Sequence, residues 1–421
     1  MRISSRYFQT MGVNSILDQQ VKLSKTQNQL ASGKRILTPS DDPVATSQLM
    51  QLRQTENTVT QFQANATAAV NRLNTEEGVL DSVTNLLQRV RELAIQAANA
   101  TQTNDTRRFI ASEVRQRLEE LVGLANTKDG NGEYLFAGSK GFTEPFVPNA
   151  AGGYDYFGDD SQRLLQIGAG RQVADGNSGS EVFQLIRNGN GTFVTEVNQD
   201  PLNPNQGTGV IDGGSVQGSF IPALTNGVNG YTLRFIQVAP TDPITYEVFE
   251  TGDPAETPIT LAGGTTVGTY IDGEPIAFRG ALVTVTGVPA DGDTFTIRSS
   301  EYQDIFQSLS DFVATLETSV NTPAGLAQLN NNIGSFLSNV EQGMNNILTV
   351  RASVGARLNA IDGQRYINDD QLLQTTQIIS SIEDLDYAEA VSRLNLQLAG
   401  LEAAQQTYLK VQGLSLFNFL R

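Results

Sequence analysis

A heptad repeat of apolar residues between positions 45 and 97 constrains this chain more than any other sequence feature. Every seventh residue is apolar, at Ala45, Leu52, Val59, Ala66, Leu73, Leu80, Leu87 and Ala94. Companion apolar residues are Phe62, Ala69, Val83, Val90 and Ala97, and only Thr55 and Glu76 interrupt the pattern. This pattern is typical of a coiled coil. A helix of roughly 55 residues would be about 80 Å long, so it needs partners along its length.

The C-terminal part of the chain supplies two matching apolar patterns. The first contains Ile333, Val340, Ile347, Val354 and Ile361, and the second contains Tyr387, Val391, Leu394, Leu398, Leu401 and Tyr408. Because a lone helix cannot bury such a stripe, the N- and C-terminal arms are predicted to pack as one elongated antiparallel bundle. The predicted bundle core is Leu52, Val59, Phe62, Leu73, Leu80, Leu87, Ile333, Val340, Ile347 and Val354.

The composition changes abruptly between residues 128 and 300. This stretch holds 28 of the 39 glycines and 11 of the 14 prolines, and alternating apolar runs lie near residues 231–235, 244–248, 282–285 and 295–297. Short alternating runs between turn residues predict an inserted β domain of one or two lobes. The predicted fold is therefore α+β. Its three parts are a terminal helical pair (1–40 plus 385–421), a long helical bundle (41–140 plus 301–384) and a β-rich surface domain (141–300).

The chain offers little for enzyme chemistry. It has no cysteine and no histidine, so the thiolate nucleophile and the commonest general base and zinc ligand are missing. Gly168 and Gly170 lack the third glycine of a dinucleotide site and are interpreted as loop glycines. Asp159 and Asp160 are expected to solvate a surface. No catalytic, cofactor or metal residue is predicted.

Residues 129–132 carry acidic and glycine residues that suggest a calcium loop. The EF-hand pattern requires glycine at its sixth position and glutamate at its twelfth, where this chain has Tyr134 and Lys140. The segment is therefore interpreted as a turn before a strand at residues 133–138.

The net charge of -17 is unevenly distributed. Residues 1–127 carry a net charge of +2, residues 128–300 carry -12 and residues 301–421 carry -7. This balance disfavours binding to nucleic acid or to an anionic membrane. Neither a transmembrane segment nor a cleaved leader is expected, because long apolar runs are missing.

Both chain ends carry apolar residues that a monomer would cover poorly. Gln20 and Gln27 interrupt the seam of residues 1–32, and residues 414–421 are too apolar for a free terminus. The terminal segments are predicted to become ordered on assembly. The candidate assembly interface is Ile16, Leu23, Leu30, Leu394, Leu398, Leu401, Tyr408, Leu414, Leu416, Phe417, Phe419 and Leu420.

A linker with two prolines joins the first segment to the long seam. Asp42 before Pro43 predicts a helix start, with an N-cap followed by a first-turn proline. The same stretch is a candidate hinge between an end-piece and the rod. The hinge residues are Gly33, Pro39, Asp41, Asp42 and Pro43.

Several motifs together resemble the flagellin superfamily. They are residues 30–36 (LASGKRI), 39–45 (PSDDPVA), 132–138 (GEYLFAG), 351–359 (RASVGARLN) and 414–417 (LSLF). Filament flagellins commonly have alanine where Pro43 stands and lack the two-proline linker. Residues 281–299 look like a β motif of hook-associated proteins, so the chain is more similar to that branch.

The resemblance implies a structural adaptor rather than an enzyme. Subunits would form a ring in the extracellular flagellum, between hook-associated protein 1 on the hook side and flagellin on the filament side. Export would proceed unfolded through the flagellar type III apparatus, with a cytoplasmic chaperone bound near the C-terminal helix. Two alternatives remain open: a minor flagellin that builds the filament, or a glycan-binding or glycan-cleaving protein acting through the insertion.

Overall fold

Six helices form the ends of the chain in the computed structural model, which describes residues 5–150, 152–198, 200, 202–221 and 230–413. They are α1 Ser5–Ser32, α2 Pro43–Ala98, α3 Asn104–Ala125, α4 Ile305–Glu317, α5 Pro323–Glu383 and α6 Tyr387–Gly413. The predicted α+β organisation, with long terminal helices and an inserted strand-rich region, is confirmed. Among the helices of the described residues, none is both long and apolar enough to cross a membrane.

Fifteen strands are described between α3 and α4. They are β1 Phe146–Pro148, β2 Tyr154–Tyr156, β3 Leu164–Gly168, β4 Arg171–Ala174, β5 Ile186–Arg187, β6 Phe193–Val197, β7 Val210–Ile211, β8 Ser215–Val216, β9 Gly230–Ile236, β10 Thr245–Glu250, β11 Val267–Thr269, β12 Pro275–Phe278, β13 Ala281–Thr286, β14 Thr294–Ser299 and β15 Tyr302–Gln303. All four alternating runs named above fall on strands, so those predictions are confirmed.

The strand predicted at residues 133–138 is wrong. Only Tyr134 makes a β-bridge there, with Lys128, and the rest of the segment consists of turns. The carbonyls of Tyr134 and Leu135 accept hydrogen bonds from the Arg72 guanidinium instead of from a neighbouring strand. A buried side chain thus takes the backbone acceptors that a sheet would need.

The chain divides into two compact units. One comprises residues 67–166 and 172–361, and the other comprises residues 1–66, 167–171 and 362–421. We call them the central unit and the terminal unit. The three-part organisation predicted above draws its boundaries elsewhere and remains a prediction.

Helices α2 and α5 run antiparallel in the central unit. Arg91 of α2 pairs with Glu341 of α5 at 3.0 Å. About four turns earlier in α2, Glu77 pairs with Arg351, which lies later in α5, at 2.7 Å. The predicted core residues in this unit are all buried: Leu73, Leu80, Leu87, Ile333, Val340, Ile347 and Val354. The heptad spacing therefore points the apolar face of each helix at its partner.

Helix α3 returns along α2. Thr103 caps its start through a reciprocal pair of hydrogen bonds with Thr106. Arg107 of α3 donates to the Ala97 carbonyl of α2 at 3.3 Å, and Arg89 of α2 pairs with Glu113 of α3 at 3.0 Å, so the two helices run antiparallel.

The two larger sheets of the central unit share one aromatic-rich core. Five strands form a sheet in the order β11-β10-β9-β14-β6, and β12, β13 and β7 form a second sheet, to which β8 adds by pairing with β13. In the larger sheet Leu233 lies opposite Phe295, and both are fully buried. Side chains of both sheets belong to the same hydrophobic cluster.

The terminal unit contains the facing ends of α2 and α5. Arg53 of α2 pairs with Glu383 of α5, and Gln63 of α2 donates to the carboxylate of Asp369. A small core of Ile36, Ala45, Leu49 and Ile379 lies here, with Leu52 partly buried beside it. Of the remaining predicted core residues, Val59 is buried and Phe62 is half-buried.

Candidate assembly interface

Helices α1 and α6 form an antiparallel pair in the terminal unit. A Cβ added to Gly12 would lie 2.9 Å from the Tyr408 ring, and one added to Gly400 would lie 2.7 Å from the Gln19 amide nitrogen. These two glycines therefore let the helices approach closely at two levels.

This pairing leaves much apolar surface uncovered. The exposed apolar residues of α1 are Tyr7, Met11, Val13, Leu17 and Val21, and those of α6 are Tyr387, Val391, Leu396, Leu398 and Leu409. Leu396, for example, is 77% exposed. Apolar residues concentrated on two neighbouring helices are typical of a surface that another protein covers.

The interface residues predicted from the seams lie mostly between the two helices. Ile16, Leu23, Leu30, Leu394, Leu401 and Tyr408 are half-buried, whereas Leu398 is 40% exposed. Leu414, Leu416, Phe417, Phe419 and Leu420 lie outside the described residues. The sequence analysis did not single out the exposed apolar residues of α1 and α6. Three of them, Val13, Leu17 and Val21, recur every four residues and form a second stripe visible in the sequence.

The linker from α1 to α2 is tied to the end of α5. Arg35 donates its backbone N–H to the Glu383 carbonyl at 2.7 Å, and its guanidinium donates to the Ile382 carbonyl. The buried Gln29 side chain donates to the Arg35 carbonyl at 2.6 Å. These bonds hold the exit of α1 against the C-terminal end of α5.

Gly33 meets two separate requirements of this linker. Its φ of +72° lies in the left-handed region, and its carbonyl accepts from the Leu385 N–H at 2.9 Å. A Cβ at this position would lie 2.9 Å from the Tyr387 hydroxyl. Glycine is therefore needed both for the turn that ends α1 and for the contact with α6.

Asp41 and Asp42 organise the remainder of the linker. Asp41 bonds Lys25 at 2.7 Å and accepts from the Leu37 and Thr38 N–H groups, and these bonds lower the pKa of Asp41 to about 2. Asp42 Oδ1 accepts from the Ala45 N–H at 3.0 Å, so Asp42 is the N-cap of α2 and Pro43 its first residue. Pro39 lies exposed in the turn that leads to Asp41.

Glu383 connects the linker to both long helices, and sequence reasoning missed it. Its carboxylate pairs with Lys34 at 2.5 Å and with Arg53, and its side chain is 10% exposed. The hydrogen bond from Lys34 is the main reason that the pKa of Glu383 is lowered. The only sequence signal is an acidic pair, Glu383 and Asp384, directly after a long apolar helix.

Glu383→Gln should loosen the linker near neutral pH. Its lowered pKa means that the folded state favours the charged form, so this stabilisation is present above the ordinary value of 4.5 and is lost as the pH falls below it. We expect a loss of about 1 to 2 kcal/mol at pH 7, measured as fivefold to thirtyfold faster hydrogen exchange of residues 33–42. Glu389→Gln, which removes an exposed carboxylate on α6, is the control. Equal exchange in both variants would contradict a role for Glu383 in the linker.

The carboxylates of the insertion serve local structure. Asp159 accepts from the Ser139 and Ser161 N–H groups, and Asp160 accepts from the Ser180 hydroxyl. Asp160 is exposed and Asp159 half-buried, so both carboxylates lie at the surface while they also accept these local hydrogen bonds.

The two suspected ligand loops are turns. Asp129 Oδ1 accepts from the Asn131 and Glu133 N–H groups, and Gly132 has a φ of +82°. Gly168 ends β3, and Gly170 lies in the turn before β4. Within the described part of the chain, no group of three acidic residues could hold a metal ion.

A polar pocket of about 480 Å³ in the central unit bears on the glycan alternative. Glu196 and Asp311 are among its lining residues. Glu196 pairs with Arg298 at 2.5 Å, and Asp311 accepts from the Gln307 amide at 2.7 Å. Both carboxylates thus have structural partners, which gives the glycan-cleaving alternative no support.

The paired terminal helices, the long antiparallel helices and the strand-rich insertion together define a protein of the flagellin class. Residues 3–141 match the family described as bacterial flagellin N-terminal helical region. Full-length similarity narrows the assignment: the chain is 25% identical over 418 residues to flagellar hook-associated protein 3 of Escherichia coli strain K12, covering 99% of each chain.

Solved structures give the same assignment at higher identity. The chain is 32% identical to FlgL of Xanthomonas campestris, with a TM-score of 0.67, covering 77% of this chain and 98% of that one. It is 30% identical to the flagellar junction protein FlgL of Legionella pneumophila, with a TM-score of 0.69, covering 80% and 99%. The chain belongs to the FlgL family, that of flagellar hook-associated protein 3.

Proposed function

We propose that this chain is a structural adaptor subunit of the bacterial flagellum, at the junction between hook and filament. The exposed apolar surface of α1 and α6 carries the proposal, because a structural subunit needs an uncovered surface that neighbours can bury. The printed name of the Legionella relative, flagellar junction protein, and the full-length match to hook-associated protein 3 support the same role.

In this proposal, neighbouring copies in a ring cover part of the α1/α6 surface. Hook-associated protein 1 and flagellin cover the remainder from the hook and filament sides. Each large apolar side chain that becomes buried contributes about 1.5 to 3 kcal/mol to association. The tied linker supports the proposal, since it gives α1 a defined direction from which to enter the assembly.

We further propose that the protein reaches the extracellular flagellum unfolded, with a cytoplasmic chaperone bound at α6 before export. Leu396, Leu398 and Leu409 supply an apolar face for such a partner. The chain has no cysteine, so no disulfide has to be reduced before export.

Leu17→Ser combined with Val21→Ser should abolish assembly without unfolding the central unit. Both side chains are exposed in the free protein, so the monomer loses little, whereas the assembled subunit would lose two buried contacts. We expect at least a tenfold loss of hook-attached protein, measured by immunogold electron microscopy. Exported protein in the medium should stay unchanged.

Phe109→Ser is the matched control, because Phe109 is 74% exposed on α3 in the central unit. Normal incorporation of the double variant would refute the assembly role of α1.

A strain lacking the protein tests the junction role separately: intact hooks without filaments are expected. Normal filaments would refute the junction role, and shortened or altered filaments would favour a minor flagellin. The chain is 25% identical over 379 residues to polar flagellin F of Vibrio parahaemolyticus.

A further inference from the structure

Glu76 is a carboxylate buried inside the central unit. It lies on the apolar seam of α2, where the heptad pattern calls for an apolar residue, and is 1% exposed. Its Oε1 atom has no hydrogen-bond partner among the described residues. A buried charge without close pairing is costly, so such a group favours its neutral form.

Arg72, one turn earlier on α2, does not neutralise Glu76 through an ion pair. Its guanidinium is occupied by Asp129 at 2.6 Å and by the carbonyls of Tyr134 and Leu135. Within the described part of the chain its Nε atom has no hydrogen-bond partner, and it lies 4.0 Å from the Asp175 carboxylate. Arg72 therefore attracts Glu76 at a distance while its hydrogen bonds hold the 129–135 loop.

Residues 175–181 and Arg357 of α5 also pack around Glu76. Arg357 donates to the Asn177 side-chain oxygen at 3.0 Å and to the Gly176 carbonyl at 3.3 Å. A Cβ on Gly176 would lie 3.6 Å from a Glu76 carboxylate oxygen, so the backbone packs directly on the acid. The Asn177 N–H donates to the Glu76 carboxylate.

The charges around this cluster are unequal. The basic groups that face it are Arg72 on α2, Arg357 on α5 and Arg163. The acidic groups are Asp129, Glu133, Asp175 and Glu181, in addition to Glu76 itself. When all are ionised, five negative charges face three positive charges, which favours uptake of one proton by the least solvated acid.

We propose that Glu76 is a proton-binding site that makes the attachment of residues 129–135 and 175–181 to α2 and α5 depend on pH. The protonated acid fits the closed cluster. Loss of the proton places an unpaired charge beneath both segments and weakens their hold on the helices.

The direction of the pH dependence follows from linkage. Burial raises the pKa of Glu76 from its ordinary value of 4.5 to about 7, against the attraction of Arg357 and Arg72. A raised pKa in an acid means that the folded state binds the proton better than the unfolded state. The stabilisation is thus complete below pH 4.5 and is lost as the pH rises towards 7.

Glu76→Gln supplies the test, because glutamine has the same shape and cannot ionise. Between pH 5 and pH 8 the unfolding equilibrium constant of the parent should rise 10- to 100-fold relative to that of Glu76→Gln. Urea unfolding of the full chain, followed by circular dichroism, measures this ratio. Hydrogen exchange should locate the change in residues 129–135 and 175–181.

Glu92→Gln is the control, since it removes an exposed carboxylate from the same helix. It should keep the pH dependence of the parent. The infrared carbonyl band of a protonated carboxylic acid should be present in the parent at pH 6 and weaken by pH 8. Equal pH dependence in the parent and Glu76→Gln would overturn the proposal. If Glu76→Gln does not fold, the infrared measurement on the parent decides, and absence of the band at pH 6 would overturn the proposal.

Discussion

Arg72→Met should lower the free energy of unfolding of the central unit by about 3 to 5 kcal/mol. Arg72 is itself buried, and its removal would take away the donor to Asp129 Oδ2 and to the carbonyls of Tyr134 and Leu135. Breaking a buried ion pair from one side is far more destabilising than losing an exposed one. Urea unfolding of the full chain measures the difference.

Arg89→Met controls for removal of a positive charge from α2. Arg89 is half-exposed and pairs with Glu92 and Glu113, so its loss should change stability far less than the loss of Arg72. If the two variants were equally stable, the 129–135 loop would not depend on Arg72 for its conformation.

Leu80→Ala should destabilise the protein by about 2 to 5 kcal/mol. Leu80 is fully buried at the centre of the heptad seam, and the shorter side chain would leave a cavity between packed helices. The backbone of a long helix cannot collapse locally to fill such a cavity. Thermal and urea unfolding of the parent and the variant give the size of the effect.

Ile95→Ala is the comparison on the same helix. Ile95 is 49% exposed, so a smaller loss of about 1 kcal/mol or less is expected. A Leu80→Ala variant as stable as Ile95→Ala would mean that the seam does not face a close-packed core.

The regular elements follow from local patterns. The heptad of α2 and the alternation of β9 and β14 are patterns of neighbouring residues, and the predicted start of α2 at Pro43 depends on a cap a few residues long. Such signals act within one or two turns, so no tertiary information is needed to detect them.

The candidate assembly surface was only partly predictable. The seam residues of α1 and α6, such as Leu23 and Leu394, identified the pairing faces. Which apolar residues stay uncovered depends on how far the two helices rotate around each other, and here Gly12 and Gly400 set that contact. The spacing of Val13, Leu17 and Val21 is visible in the sequence, but their exposure is known only from the fold.

By itself the sequence determined the helices, the inserted strands and their α+β organisation, because periodicity and capping are properties of adjacent residues. The tertiary structure alone decided which partners the buried charged groups meet. Glu383 meets Lys34 across about 350 positions of sequence, and Glu76, which interrupts the apolar pattern, becomes a buried acid facing Arg357. A charge is stabilised by whatever lies near it in space, and only the folded chain determines those neighbours.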